Sequence, residues 1–214
     1  MPKTCLLTVG STRFDPLVHA FLSADSLAAL AEVGITRVVA QVGNSSLAPA
    51  AAPAVRAAKA PELGVQPFGD GDAAQGELVV VRFADDLEAQ VGQADLVVSH
   101  AGAGSLLSFL RPLPLQAESD PSASSSPQPR ARTLVLVPNS TLMDSHQSDL
   151  AEEMDKKGWA TVCWKPEDLP ITLRKLAAAK PATEPHSGGA AKSAFPALDK
   201  GKVQRILDEV LGYA

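Results

Sequence analysis

The sequence lacks three features, each of which would point to a distinct class of protein. It contains only two cysteines in 214 residues, too few for a disulfide-dense secreted scaffold. It has no apolar run of about 18 residues, the length from which a membrane-spanning helix is inferred. It has no excess of positive charge either, because 19 Lys and Arg residues stand against 24 Asp and Glu residues. Counterion-driven attraction to nucleic acid therefore has no source, and we expect no nucleic-acid partner.

Familiar catalytic and metal-binding signatures are also missing. No Lys follows the glycines at positions 102 and 104, which excludes a Walker-type loop, and the same segment lacks the full Gly-x-Gly-x-x-Gly of a dinucleotide site. Ser105 does not lie in the Gly-x-Ser-x-Gly turn of a hydrolase. The four histidines show no metal-ligand spacing with the cysteines. We therefore predict no metal site and no cofactor.

The start of the chain and its cysteines favour the cytosol or a membrane surface that faces it. The first residues lead into a strand-like segment that ends at Gly10, without the apolar region and cleavage site of a signal peptide. Cys5 and Cys163 each lie in a short apolar run, so we expect buried, reduced thiols. With 45% hydrophobic and 20% charged residues, the composition is typical of a soluble globular protein.

What the sequence does contain is an alternation of short apolar runs and helical patterns. Their continuous Val and Leu content is typical of strands that are covered on both faces. The fold class that we predict is α/β, a doubly wound and mostly parallel sheet whose strand-end loops gather at one edge. The first helix is predicted to start with Asp15 as its cap and Pro16 at its first position, and to end near Gly34. The predicted strands are 4–9, 37–42, 78–83, 96–99, 133–137 and 159–164.

Three segments interrupt this pattern and suggest a domain organisation. Residues 48–60 are mostly Ala with two prolines and predict a frayed helix or an insertion. Residues 112–132 hold five Pro and five Ser, which predicts a disordered insertion within a domain that spans 1–179. Residues 180–198 predict a linker to an amphipathic helix at 199–214. That helix packs on its own sheet or docks on a partner protein.

Small-residue loops follow two of the predicted strands. The segment from His100 to Ser105 delivers a glycine-containing turn to a helix start, where backbone N–H groups and the helix dipole favour phosphate. The alternative interpretation of this segment is a tight turn between strand and helix that needs glycine for packing alone. Gly10, Ser11 and Thr12 offer two hydroxyls at another strand end, and their alternative is an ordinary turn before a helix. Because these loops share one sheet edge, a phosphate-bearing ligand would contact both.

A third loop adds groups suited to a sugar. Asn139 and Gln147 each offer hydrogen-bond donors and acceptors for hydroxyl groups. Their alternative role is local, since Asp144 and Gln147 have the spacing of a helix capping box. A ligand with both a phosphate and a polyol would contact all three loops, which indicates a nucleotide sugar.

Three segments together resemble the C-terminal, donor-binding domain of family 28 glycosyltransferases. They are Phe-Ala-Asp-Asp-Leu at 83–87, Ala-Asp-Leu-Val-Val-Ser-His-Ala-Gly-Ala-Gly-Ser at 94–105 and the segment 137–147, and the segment 10–15 matches as well. The similarity is greatest to the two-component UDP-N-acetylglucosamine (UDP-GlcNAc) transferases of the endoplasmic reticulum. It implies a Rossmann-like, GT-B donor-binding half that binds UDP-GlcNAc, while a membrane-anchored partner subunit supplies the acceptor site.

The resemblance also implies a reaction and a place for it. The two subunits would transfer GlcNAc to GlcNAc-diphosphate-dolichol by an inverting, metal-independent reaction, giving dolichyl diphosphate chitobiose. The chain would be cytoplasmic and recruited to the cytosolic face of the endoplasmic reticulum membrane. Two alternatives remain: a non-catalytic nucleotide-binding or scaffold subunit and, less favoured, a Rossmann oxidoreductase.

The resemblance assigns roles to individual residues. His100 is the candidate general base, unless the partner subunit supplies that group. Relatives carry an acidic residue for the ribose hydroxyls where this chain has Ser108. The residues assigned to the nucleotide sugar are Phe83 and Ala84 at uracil, Gly10, Ser11, Thr12, Gly102, Ala103, Gly104 and Ser105 around the diphosphate, and Asn139, Met143, His146 and Gln147 at GlcNAc.

Overall fold

The computed structural model describes residues 3–47, 62–68, 76–110, 132–139 and 146–178. Its strands are β1 (Lys3–Thr8), β2 (Ile35–Gln41), β3 (Glu62–Phe68), β4 (Gly76–Val81), β5 (Leu96–Ser99), β6 (Thr133–Leu136) and β7 (Thr161–Val162). Its helices are α1 (Asp15–Phe21), α2 (Ala24–Glu32), α3 (Leu87–Gln93), α4 (Ala103–Leu110), α5 (His146–Lys156) and α6 (Leu169–Ala178), the last preceded by a 3₁₀ turn at Pro166–Asp168.

The seven strands form one sheet in the order β3-β4-β2-β1-β5-β6-β7. All neighbours run parallel except β3, which pairs antiparallel with β4 at the edge. Helices α1, α2 and α6 pack on one face with Leu7 and Val38, and helices α3, α4 and α5 pack on the other with Leu6 and Val97. The predicted doubly wound, mostly parallel α/β fold is confirmed.

Both cysteines lie in this core, as expected. Cys5 is fully buried, Cys163 is 2% exposed, and both are free thiols. Burial raises the pKa of each thiol above its ordinary value, so neither is an activated nucleophile. No helix in the described ranges is long and apolar enough to cross a membrane.

The first helix departs from its prediction in two ways. It is divided at Ser23, whose side chain caps α2 by accepting a hydrogen bond from the Ser26 amide at 3.2 Å. Asp15 is a helical residue rather than the cap, so that prediction was wrong. Its carboxylate instead pairs with Arg13 at 2.7 Å and accepts from the Ser46 amide at 2.9 Å. These contacts tie the start of α1 to the loop after β2.

The strand predictions held for all six parallel strands but missed β3. Pro67 has no N–H to donate to a neighbouring strand, which is tolerated at the edge of a sheet. A proline within the segment also argues against a strand when only the sequence is read, so β3 was not predicted. β7 is two residues long, shorter than the predicted 159–164, and β4 ends at Val81, so Phe83 belongs to the loop that follows. The predicted insertion at 48–60, the linker at 180–198 and the helix at 199–214 lie outside the described residues.

Arg132 is the described end of the predicted disordered insertion, and it is anchored. Its guanidinium donates to the carbonyl oxygens of Ala94 at 3.1 Å, Phe109 at 3.1 Å and Val91. The charged carbon also lies 4.3 Å from the centre of the Phe109 ring, a cation–π distance. The prediction was therefore wrong at this residue, because three carbonyl groups hold its side chain.

The strand order creates a switch point between β1 and β5. From β1 the chain winds outward through β2 to β4 and then returns to the other side of β1 to form β5. In open α/β sheets, ligands bind outside the carboxyl ends of the strands at such a point. The loop that starts at Gly10 and the turn that starts at His100 leave the sheet there.

Candidate functional site

The loop after β1 is folded tightly against its neighbours. Gly10 has a left-handed backbone with φ +59, a conformation that glycine adopts at little cost. The Thr12 amide closes the turn on the Val9 carbonyl at 3.1 Å. Ser11 is exposed and Thr12 half-buried, so the Ser11 side chain faces solvent.

His100 is buried directly beside this loop. It is 6% exposed, and its Nδ1 lies 3.4 Å from the Thr8 carbonyl oxygen. Burial lowers the pKa of the imidazole, and the Thr8 contact opposes this only in part. The ring is therefore neutral at neutral pH, and the tautomer that satisfies Thr8 carries the proton on Nδ1, which leaves Nε2 as an acceptor.

The neutral state of His100 makes the stability of the fold depend on pH. Its folded-state pKa lies below the unfolded value of about 6.5. Above pH 6.5 neither state binds the proton. As the pH falls below that value, the unfolded chain is protonated first and the free energy of unfolding decreases until the folded-state pKa is reached. We expect the urea midpoint to fall between pH 7 and pH 5.

The control is His100→Asn, whose amide can donate to Thr8 without titrating. Its midpoint should fall less over the same interval, since the other ionisable groups are unchanged. Equal losses in the two proteins would contradict the assignment of this pH dependence to His100.

The two glycines of the turn after β5 differ in what surrounds them. A Cβ on Gly102 would lie 2.4 Å from Nε2 and 2.6 Å from Cε1 of His100, so packing alone requires glycine there. A Cβ on Gly104 would meet no described atom within 4 Å, and Gly104 is exposed in the first turn of α4. The packing alternative thus accounts for Gly102 and leaves Gly104 unexplained.

Backbone strain is concentrated in the same turn. Ala101 has φ +63 and is the one non-glycine residue in the described part of the chain with a left-handed backbone. It is 1% exposed. Such a conformation costs about 1–2 kcal/mol for an L-residue, and strain of this kind often accompanies functional sites. The left-handed conformation of Ala101 turns the chain from β5 toward α4. The first backbone amides of α4 are those of Ala103, Gly104 and the buried Ser105.

Phe83 and Ala84 lie in the loop after β4, at a separate cavity. The cavity has a volume of about 310 Å³ and runs along the sheet face beside α3, with Val79, Val81 and Gln90 also in its lining. Phe83 is 53% exposed. None of the other predicted site residues lines this cavity.

The third loop is held by the two residues expected to contact the sugar. The backbone N–H of Asn139 donates to Oε1 of Gln147 at 3.2 Å, and Asn139 is 2% exposed. Gln147 thus ties the exit of β6 to the start of α5, where His146 is exposed. Asp144, the other member of the alternative capping box, lies outside the described residues, as does Met143.

Ser108 has a local partner. Its hydroxyl donates to the Gly104 carbonyl at 3.0 Å, one turn back along α4. Ser and Thr side chains in helices commonly bond in this way. In this structure the hydroxyl is directed at its own helix.

Gln41 is a buried residue at this edge that the sequence patterns did not single out. It is 1% exposed and its amide contacts the loops after β1 and β4. The sequence signal that could have identified Gln41 is a polar residue that directly follows the apolar run Val38, Val39 and Ala40 at the end of β2. Within the described residues, no group of three or more His, Cys, Asp or Glu side chains is placed to hold a metal ion.

Comparison with known proteins agrees with this architecture. Residues 4–112 match the glycosyltransferase family 28 C-terminal domain. A Cryptococcus neoformans protein named UDP-N-acetylglucosamine transferase subunit ALG13 is 32% identical over 226 residues, covering 99% of this chain and 98% of that protein. The human protein of that name is 30% identical over 206 residues, or 96% of this chain and 15% of its own length.

A solved structure is similar over the whole chain. The solution NMR structure of ALG13 has a TM-score of 0.55 and 21% identity, covering 100% of this chain and 98% of that one. At 21% identity this similarity shows a shared fold only. Membership of a family is shown by the family match and by the Cryptococcus protein. The chain belongs to the family of glycosyltransferase family 28 C-terminal domains.

Proposed function

We propose that this chain is the donor-binding subunit of an inverting glycosyltransferase that moves GlcNAc from UDP-GlcNAc to GlcNAc-diphosphate-dolichol. The product is dolichyl diphosphate chitobiose. A membrane-anchored partner subunit supplies the acceptor site and recruits the chain to the cytosolic face of the endoplasmic reticulum. The similar proteins are named subunits of a UDP-N-acetylglucosamine transferase, which supports both the donor and the need for a partner.

The observation that carries the proposal is the open space at Gly104. Glycine is a poorer helix former than alanine, and no described atom requires it at this position in the first turn of α4. A ligand that approaches the α4 amides closely would require it. Those amides carry the positive end of the helix dipole, which allows a chain with a formal charge of −5 to bind a diphosphate.

In this proposal the other loops contact the rest of the donor. The backbone of Phe83 and Ala84 receives uracil, Gly10, Ser11 and Thr12 flank the diphosphate together with Gly102, and the loop of Asn139 with Met143, His146 and Gln147 faces GlcNAc. The cavity beside Phe83 supports the first placement. The position of the Gly10 loop and α4 on either side of the switch point supports the second.

The chemistry follows from this arrangement. The acceptor hydroxyl attacks the anomeric carbon as the bond from that carbon to the UDP oxygen breaks, and the negative charge passes to the diphosphate. The amides of Ala103, Gly104 and Ser105 stabilise this charge. The acceptor proton goes to a general base. The burial of His100 and the seating of its Nε2 against Gly102 favour a base from the partner subunit.

The test is a GlcNAc-transfer assay with the full chain, alone and co-expressed with the membrane-anchored subunit. We expect UDP binding by the chain and transfer only by the pair, with near-normal turnover for His100→Asn in the pair. A folded chain that binds no UDP would favour the scaffold alternative. Binding of a nicotinamide dinucleotide instead of UDP would favour the oxidoreductase.

Position 108 offers a test of the ribose placement. Ser108→Glu introduces the acidic residue that the resemblance to family 28 glycosyltransferases implies at this position. We expect UDP to bind more tightly by about 10- to 100-fold, the effect of one hydrogen bond to a charged group. The measurement is titration calorimetry with UDP, and Ser108→Gln, which lacks the charge, is the control. A weaker complex with the Glu variant would contradict the placement.

A further inference from the structure

Gln41 joins two loops of the proposed donor site without belonging to either. It is the last residue of β2, which lies between β1 and β4 in the sheet. Its Oε1 accepts from the Thr8 hydroxyl at 2.8 Å and from the Gly10 amide at 3.0 Å. Its Nε2 donates to the carbonyl oxygens of Gly10 and Arg82, both at 2.7 Å.

These contacts use the full hydrogen-bonding capacity of the side chain. A primary amide has two acceptor sites on oxygen and two protons on nitrogen, and here all four are used. The two backbone carbonyls need a donor and the Gly10 N–H needs an acceptor, so the amide has one satisfactory orientation. A carboxylate of the same shape would face the Gly10 and Arg82 carbonyls without a proton to donate.

The two loops depend on Gln41 to different degrees. The loop after β4 has further ties to the loop after β2, because the Gly43 amide donates to the Arg82 carbonyl at 2.9 Å and the Arg82 side chain donates to the Gly43 carbonyl at 3.2 Å. Gly10, whose backbone is left-handed, has both its N–H and its C=O bound to Gln41. The same N–H also donates to the Thr8 hydroxyl at 3.2 Å, but Gln41 accepts from that hydroxyl and so orients it as well. Further along the loop, Asn44 donates to the Ser11 carbonyl at 2.9 Å. Loss of the amide therefore releases the Gly10 loop more than the Phe83 loop.

We propose that Gln41 is a positioning residue that fixes the Gly10–Thr12 loop for the diphosphate of the donor. This inference rests on the proposed function, in which that loop flanks the diphosphate and the loop after Arg82 receives uracil. Gln41 contacts no substrate and acts through Gly10. Its loss should thus weaken the recognition of the outer phosphate and the sugar more than the recognition of the nucleoside.

The experiment compares UDP with UMP on the full chain. The variants are Gln41→Glu, which keeps the shape, and Gln41→Met, which removes the polar groups at similar length. Ser26→Ala is the control, because Ser26 is fully buried and donates to Ala20 at 2.7 Å within the α1–α2 connection, away from this edge. We expect UDP binding to weaken about 10-fold or more, as loss of one to two hydrogen bonds implies, and UMP binding to weaken less than about 3-fold.

Transfer by the pair provides a second readout. The KM for UDP-GlcNAc should rise with the Kd for UDP, because the loop holds the donor already in the ground state. If Gln41→Glu fails to fold, the comparison uses Gln41→Met and Thr8→Val, which removes the hydroxyl that donates to Oε1 and accepts from the Gly10 amide. Equal loss of UDP and UMP, or no greater loss than in Ser26→Ala, would overturn the role of Gln41. A wild-type chain that binds no UDP would instead overturn the proposed function.

Discussion

Replacement of Gly102 by alanine should abolish donor binding while the sheet stays folded. The new Cβ would lie 2.4 Å from Nε2 and 2.6 Å from Cε1 of His100, a ring that the protein buries almost completely. Either the imidazole or the start of α4 has to move by roughly 1 Å. Because a misplacement of about 1 Å can cost 100-fold in rate, we expect kcat/KM for UDP-GlcNAc to fall by at least that factor in the assembled pair.

A second variant identifies the cause. Combining Gly102→Ala with His100→Ala removes the ring that the methyl group strikes, so UDP binding should recover toward that of His100→Ala alone. The readout is the Kd for UDP, which does not depend on a general base. Gly104→Ala is a control for folding alone and not for UDP binding. Its added Cβ meets no described atom, so we expect no fall in its melting temperature. No recovery in the double variant would show that the clash with His100 is not the reason.

Gly43→Ala should cause a large loss of stability, greater than that of Gly34→Ala. Gly43 has φ +53, and an added Cβ would lie 2.4 Å from the Gly10 carbonyl oxygen and 3.1 Å from that of Thr12. Both obstacles are backbone atoms and cannot rotate away. The left-handed conformation and the overpacking together should lower the free energy of unfolding by about 2–5 kcal/mol, measured by urea denaturation.

Gly34→Ala separates these two contributions. Gly34 also has a left-handed backbone, with φ +82, but its Cβ would meet no described atom within 4 Å. It should therefore lose only the conformational part, about 1–2 kcal/mol. Equal losses at both positions would contradict a steric role for the Gly10 carbonyl.

Sequence patterns were informative where a segment is apolar on both faces. The run at 96–99 matches β5 residue for residue, and β1, β2, β4 and β6 differ from their predictions by one or two residues at their ends. Continuous Val and Leu is a strong signal because only a covered strand tolerates it. The same patterns predict that the loops after β1, β5 and β6 leave the sheet at one edge, as the parallel pairing of these strands requires.

Other features could not be predicted, because they depend on contacts far apart in the sequence. No sequence signal indicated that Ala101 would be the left-handed residue of the turn, or that Gly102 would be needed to admit the His100 ring. Gln41 acquires its importance from Gly10 and Arg82, which lie 31 and 41 residues away. Contacts between side chains so far apart in the sequence produce no periodic pattern of residues from which they could be predicted.

The anchoring of Arg132 has a consequence for how the family can vary. One guanidinium bonds the carbonyl of Phe109, near the end of α4, from a position immediately before β6. Phe109 and Arg132 are thus held side by side, and the entropy cost of closing a chain between two fixed points grows only slowly with its length. A relative with more or fewer residues between these two points can therefore keep the same contact, which fixes the end of α4 relative to the start of β6.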